Sequence, residues 1–417
     1  MHDEQYNYGE QHYQPQEGRC RMHDEQYNYG EPYYPPQEGY REPPPKKSRA
    51  GKVIAIAIVL ILVIAFLGSP LFPALVNLLT KPRRAYPESA HFTITRRIEV
   101  RVSGMQSIDI AIDIPLPKDI TDANGLEIQD RMVTEPDPLP LLEHKAGADW
   151  MVWQEWNLRS FTIEIEYEFE TRTVLWEMSS ENSGTPAEVP EDVQQRYLGD
   201  EWLITPSDPQ IASLAVEITA GMSTVYERLR AIYRYLDEEI GYERSRPGLP
   251  KSCTETLRDK AGDCDDQSIL LCSLARAVDV PAWLEYGALY DQGYDTWGAH
   301  AWVQTYIPSE DGGGVVNIDV VNDEFLVRGA NRFTEWISTG NAADLEDYYR
   351  FVNYTWLGIQ PHVEITEDYT GTFEPSESKI YVPSGEQPGI PAPEMLLIIL
   401  LAVASAALVA HRHRRTR

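Results

Sequence analysis

Cysteine is scarce in this chain: Cys20, Cys253, Cys264 and Cys272 are the only four in 417 residues. None lies in a C-x-x-C pair, and Cys253, Cys264 and Cys272 have no histidine close by in sequence, which excludes a disulfide scaffold and a zinc site. Whether Cys253 and Cys272 pair is left open by spacing alone. Positive charge is also in short supply. Lys and Arg total 36 against 65 Asp and Glu, for a formal net charge of −29. Such a chain is repelled by phosphate backbones, so nucleic-acid binding is excluded.

Two long apolar runs stand out. The first, 53–79, suffices at ~1.5 Å per residue to cross a ~30 Å hydrocarbon core. The second, "MLLIILLAVASAALVA" at 395–410, is shorter but spans with modest bilayer adjustment. Lys46, Lys47, Arg49 and Lys52 precede the first, and Arg412, Arg414, Arg415 and Arg417 follow the second. Basic flanks mark the cytoplasmic side, although Lys81, Arg83 and Arg84 pull the other way. The expected topology is a two-span membrane protein with both termini inside and residues 85–390 outside. The lipid bilayer is then a partner. Ahead of the first run, "MHDEQYNYGE" at 1–10 recurs at 22–31. This 1–50 tail is rich in Tyr, Gln, Pro and Glu and has no periodic apolar face, so disorder is expected.

The external part divides by periodicity. Over 88–176, stretches such as "HFTITRRIEVRV" and "SFTIEIEYEFETRTVLW" alternate apolar and polar residues, as half-buried strands do. A small β-sandwich with a packing or spacing role is expected there. Over 195–345 the period becomes helical. Asp208 precedes Pro209 as an N-cap, and Thr224 with Glu227 forms a capping box. A further short helix near 252–259 opens with Ser-x-x-Glu. "AWLEYGALY", "GAHAWVQTYI" and "VVNIDVV" read as strands, the last two joined by the "PSEDGGG" loop. Residues 346–390 read as a stalk or linker to the second span.

"AGDCDDQSILLCSLARA", 261–277, poses the chemical question. A reactive thiol works as thiolate, which adjacent carboxylates disfavour. Yet Ile269, Leu270, Cys272, Leu274 and Ala275 recur at helical spacing, which puts Cys264 in a first turn. Backbone N–H groups and the helix dipole there favour negative charge. Asp263 fits the N-cap and Asp266 the reciprocal capping position, while Cys272 falls among core residues. The D-C-D-D run lacks the spacing of a calcium loop. A thiol nucleophile needs a base and the base an orienting group. His300 lies on one strand and Asp319 on the returning strand, so the two fall opposite or diagonal, within side-chain reach.

In this order, Gly262–Asp263–Cys264, His300–Ala301–Trp302 and Asp319 resemble the transglutaminase-like superfamily. The likeness covers about 195–330. It implies an α+β fold: a papain-like core with the Cys-bearing helix on an antiparallel sheet, preceded by the β-sandwich and flanked by transmembrane helices. It also implies a membrane-anchored thiol enzyme, with Cys264, His300 and Asp319 catalytic. Such an enzyme acts on protein or peptide amides through a thioester, by acyl transfer or hydrolysis. No metal or organic cofactor is implied, and the partner is a protein or peptide, with a cell-envelope protein as one candidate. The competing reading is a catalytically inactive ectodomain for adhesion or envelope assembly.

Overall fold

The alternating stretches form two facing antiparallel sheets. In Ser89–Ser103, residues Ala90, Phe92, Ile94, Ile98 and Val100 all point inward. Every second residue is buried because side chains alternate across a strand. This strand pairs with Ser160–Arg172, which pairs in turn with Glu127–Asp137. The facing sheet is built on Ile108–Pro115 and Ala148–Leu158. The structure, a computed structural model, describes residues 83–122, 125–244 and 249–383. Among these residues no helix is long and apolar enough to cross a membrane. The 1–50 tail and the expected spans at 53–79 and 395–410 lie outside them.

The 346–390 stalk reading needs correction. Val352–Trp356 pairs with Ile108–Pro115, and His362–Gly371 pairs with Ser89–Ser103. The described part of that segment therefore closes both sheets of the first unit. Lys379–Pro383 then pairs with Arg83–Pro87 in a separate two-stranded ribbon.

Four helix starts obey local capping rules. Asp208 accepts from the backbone of Gln210 at 2.8 Å, and Thr224–Glu227 and Ser252–Glu255 form reciprocal boxes. The helix Cys264–Arg276 opens with Asp263 and Asp266 capping each other. Each such cap is worth roughly 1 kcal/mol of helix stability. The Cys264–Arg276 helix is buried along nearly its whole length. It packs on the strands Ala282–Asp291 and Thr296–Ile307. Ile269, Leu270 and Leu274 share a core with Ile232, Leu236, Val303 and Ile318.

Those two strands lie within a five-stranded antiparallel sheet. Its order is Glu324–Phe325, Gly314–Asp319, Thr296–Ile307, Ala282–Asp291 and Arg332–Ile337. The sandwich is not a separate bead. Phe92 packs on Trp297 with ring centroids 4.8 Å apart, and Phe169 stacks on Phe333 at 4.6 Å. These pairs weld the two sheet systems through one apolar cluster. Cys253 and Cys272 are both free buried thiols, so the open question of their pairing is answered in the negative.

Candidate active site

Cys264 is the first residue of its helix. Gly262, two residues earlier, is there for space: a Cβ on it would sit 2.5 Å from Asp266 Cβ. Asp266 has to be that close. Its Oδ2 accepts from the Asp263 N–H at 3.3 Å and its Oδ1 from the Lys251 N–H at 2.7 Å. One of the three aspartates around the thiol is thus a fully buried turn-former.

His300 and Asp319 meet across the 308–314 loop. Val303 pairs with Ile318, which sets Asp319 diagonal to His300, one of the two expected arrangements. His300 Nε2–H donates to Asp319 Oδ2 at 2.7 Å. That leaves Nδ1 as the basic nitrogen of a ring that lines the same cavity as Cys264. The ring is nine-tenths buried and stacks on Trp302, with centroids 5.7 Å apart. All three expected residues are brought together.

Asp319 holds more than the histidine. Arg332 Nη1 donates to its Oδ2 at 2.8 Å, as does Asn322 Nδ2 at 2.8 Å. Arg332 reaches on to Glu324 at 2.5 Å and lies over the Trp302 ring at 5.2 Å. Burial alone would raise the Asp319 carboxyl. His300 and Arg332 beside it reverse that and hold it well below the usual carboxylate range. Sequence reading missed Asn322, Arg332 and Glu324, because nothing local ties them to His300.

Residues 212–320 match the Transglutaminase-like superfamily. This chain carries a transglutaminase-like domain. A crystal structure of a candidate cysteine protease from Cytophaga hutchinsonii is 15% identical, with a TM-score of 0.54. The likeness covers 74% of this chain and 97% of that one, and it shows the fold. Weaker likenesses involve the periplasmic domain of TgpA from Pseudomonas aeruginosa and Legionella pneumophila LapG. The first is 14% identical, has a TM-score of 0.29, and covers 54% of this chain and 86% of that one. The second is 16% identical, has a TM-score of 0.26, and covers 38% and 92%. No curated protein matches the chain in sequence.

The thiol of the transglutaminase-like domain is not pre-ionised. Burial pushes the Cys264 thiol well above its ordinary range, and Asp265 and Asp263 push it further. The Ala301 backbone N–H opposes them without prevailing. Cys264 Sγ instead points its proton at Asp265 Oδ1, 3.8 Å away. The sequence left the balance between helix start and carboxylates open; burial and the carboxylates win. Asp265 is itself pushed up to about 7, first by burial and then by Asp263 and Asp266. Cys272 is fully buried and is pushed up to about 12 by that burial, as a core thiol is.

The cavity before Cys264 measures about 320 Å³, and the sandwich supplies one wall of it. Arg96, Asp113 and Tyr369 face Cys264, Asp265 and His300 across it. The expectation that the sandwich only packs or spaces is therefore too narrow. Arg96 occupies an inward position among the apolar residues of Ser89–Ser103, and that break in the alternation was a readable signal. It is 5% exposed and paired with Glu335 at 2.5 Å and Glu367 at 2.7 Å.

Proposed function

We propose that this protein is a membrane-anchored thiol enzyme that cleaves or transfers carboxamide or peptide acyl groups. The observation that carries the reading is the 2.7 Å bond from His300 Nε2 to Asp319 Oδ2, on a ring lining the cavity at the Cys264 helix start. Cys264 attacks the substrate carbonyl while His300 Nδ1 takes the thiol proton. Because the resting thiol is neutral, proton removal accompanies attack rather than preceding it. The C–N bond breaks, the amine leaves with the proton from His300, and a thioester remains. Water or a primary amine then attacks the thioester, His300 takes its proton, and Cys264 is released. Asp319 keeps the Nε2 proton in place and supports the charged imidazole. The backbone N–H of Cys264, at a helix start, serves as one oxyanion donor. The apolar runs at 53–79 and 395–410, with basic outer flanks, support an anchored, outward-facing enzyme.

The test is carbamidomethylation of Cys264 by iodoacetamide across pH, in the full chain and in His300→Ala. A wild-type midpoint at lower pH than the variant's supports base assistance. Superimposable profiles refute it. A second reading, an inactive ectodomain, is favoured by the raised Cys264 thiol. Growth complementation by Cys264→Ala would decide for it.

A further inference from the structure

The Arg83–Pro87 strand belongs to neither large sheet, since it pairs with Lys379–Pro383 alone. Its side chains nevertheless reach the turn that follows Asp319. Arg84 forms an ion pair with Asp323 Oδ2 at 3.1 Å and donates to the main-chain carbonyls of Asn322 and Asp323. Burial and the nearby Glu324 carboxylate raise the phenol of Tyr86, two residues on. Its ring also lies against Gly329, where a Cβ would come within 3.2 Å of it. From the opposite side, Tyr233 OH donates to Asp323 Oδ1 at 2.8 Å.

The clamped turn touches the reacting groups directly. The Asn322 N–H donates to Asp319 Oδ1 at 3.2 Å. Asn322 Nδ2 donates to Asp319 Oδ2 and lies 3.0 Å from His300 Nε2. Asp323, next in line, has φ +53°, a left-handed conformation that aspartate tolerates better than most non-glycine residues. The contacts thus form a continuous path from Arg84, through the carbonyls of 322 and 323, to the Asn322 side chain and on to Asp319 and His300.

We propose that Arg84 is a positioning residue for the Cys264–His300–Asp319 centre, acting through the Asn322–Asp323 turn. The proposal rests on that centre being catalytic. It makes the ribbon, whose first strand follows the first apolar run in sequence, part of the machinery that holds the imidazole in place. Loosening the ribbon lets Asn322 swing, and His300 then loses its fixed tilt toward Cys264.

The experiment uses the full chain in detergent micelles. It reads iodoacetamide modification of Cys264 against pH by peptide mass spectrometry, with a thermal melt of each variant. The variants are Arg84→Ala, Arg84→Lys, Asn322→Ala, Arg84→Ala with Asn322→Ala, and His300→Ala. Arg84→Ala slows modification by about tenfold near neutrality and moves the midpoint toward that of His300→Ala. Arg84→Lys keeps the Asp323 ion pair and recovers most of the rate. The double variant is no slower than Asn322→Ala, because both changes cut one path. The proposal is overturned if Arg84→Ala superimposes on wild type while His300→Ala shifts, or if the double variant shows the two effects multiplied. It is equally overturned if Arg84→Ala only lowers the melting temperature. An unshifted His300→Ala profile overturns the catalytic reading itself, and the clamp with it.

Discussion

Replacing Asp265 with asparagine should make Cys264 a stronger nucleophile. Asp265 Oδ1 lies 3.8 Å from Cys264 Sγ and accepts its proton. Asparagine keeps an acceptor oxygen of the same shape there and removes only the charge. Asp265 titrates at about 7, so in the wild type it is ionised at the higher pH where Cys264 gives up its proton. Two unit charges 3.8 Å apart repel by about 4 kcal/mol at an effective dielectric of about 20. That equals about 3 pKa units and is a ceiling, since the cavity is open to water. A fall of at least about 1 unit in the Cys264 midpoint is therefore expected in Asp265→Asn. Iodoacetamide modification read at the Cys264 peptide, from about pH 5 to pH 10, measures it directly. Cys272 shares the tryptic peptide 261–276 with Cys264, so fragment ions assign the modified residue, whereas Cys253 lies on another peptide. A midpoint that stays put or rises in Asp265→Asn refutes the claim that this carboxylate opposes the thiolate.

Three further outcomes follow from the same contacts. Removing Arg96 leaves Glu335, 6% exposed, without its cation, so Arg96→Ala should cost about 3–5 kcal/mol in a urea melt, and Arg96→Ala with Glu335→Ala should recover part of it. Gly262→Ala forces a Cβ to within 2.5 Å of Asp266 Cβ and should destabilise by about 1–3 kcal/mol by the same measurement, since neither Cβ can rotate away. The two aspartates should act in opposite directions on stability against pH. Asp319, held low, contributes stability above about pH 4 that is lost as pH falls through its lower folded value; Asp265, held at about 7, contributes stability below about pH 4 that is lost as pH rises toward 7. Melting temperatures of Asp265→Asn should accordingly be flatter than wild type between about pH 4 and pH 7.

Local rules made much of this readable in the sequence. Asp208, Thr224, Ser252 and Asp263 each cap a helix through partners three residues away or fewer, so spacing alone places them. The diagonal between His300 and Asp319 follows from one hairpin, again a short-range object. What stayed hidden is long-range. Trp356 and Gly371 end strands that pair with Ile108 and Ile94, and no sequence pattern announces a partner hundreds of residues away. Arg332 and Asn322 lie only thirteen and three residues from Asp319, but they reach it through a turn and a strand return whose geometry no local pattern specifies. The direction of the Cys264 shift was also out of reach, because burial is its largest cause and burial belongs to the finished fold.

The raised thiol is compatible with catalysis because of how the site divides its charges. Asp266 is fully occupied by the turn, accepting from Asp263 and Lys251. Asp319 is balanced by Arg332 and Asn322 as well as His300. Arg332 shares its charge with Glu324, which keeps Asp319 from being neutralised by the arginine alone. Asp265 is then the carboxylate placed to act on the sulfur directly, and it does so as a proton acceptor from the neutral thiol. Under the proposed mechanism, a thiol stored in this form reacts slowly with solvent-borne electrophiles until a carbonyl and the imidazole engage it together. On the proposed mechanism its reactivity depends on His300, and hence on the turn that holds Asp319, more than on the dipole of its own helix.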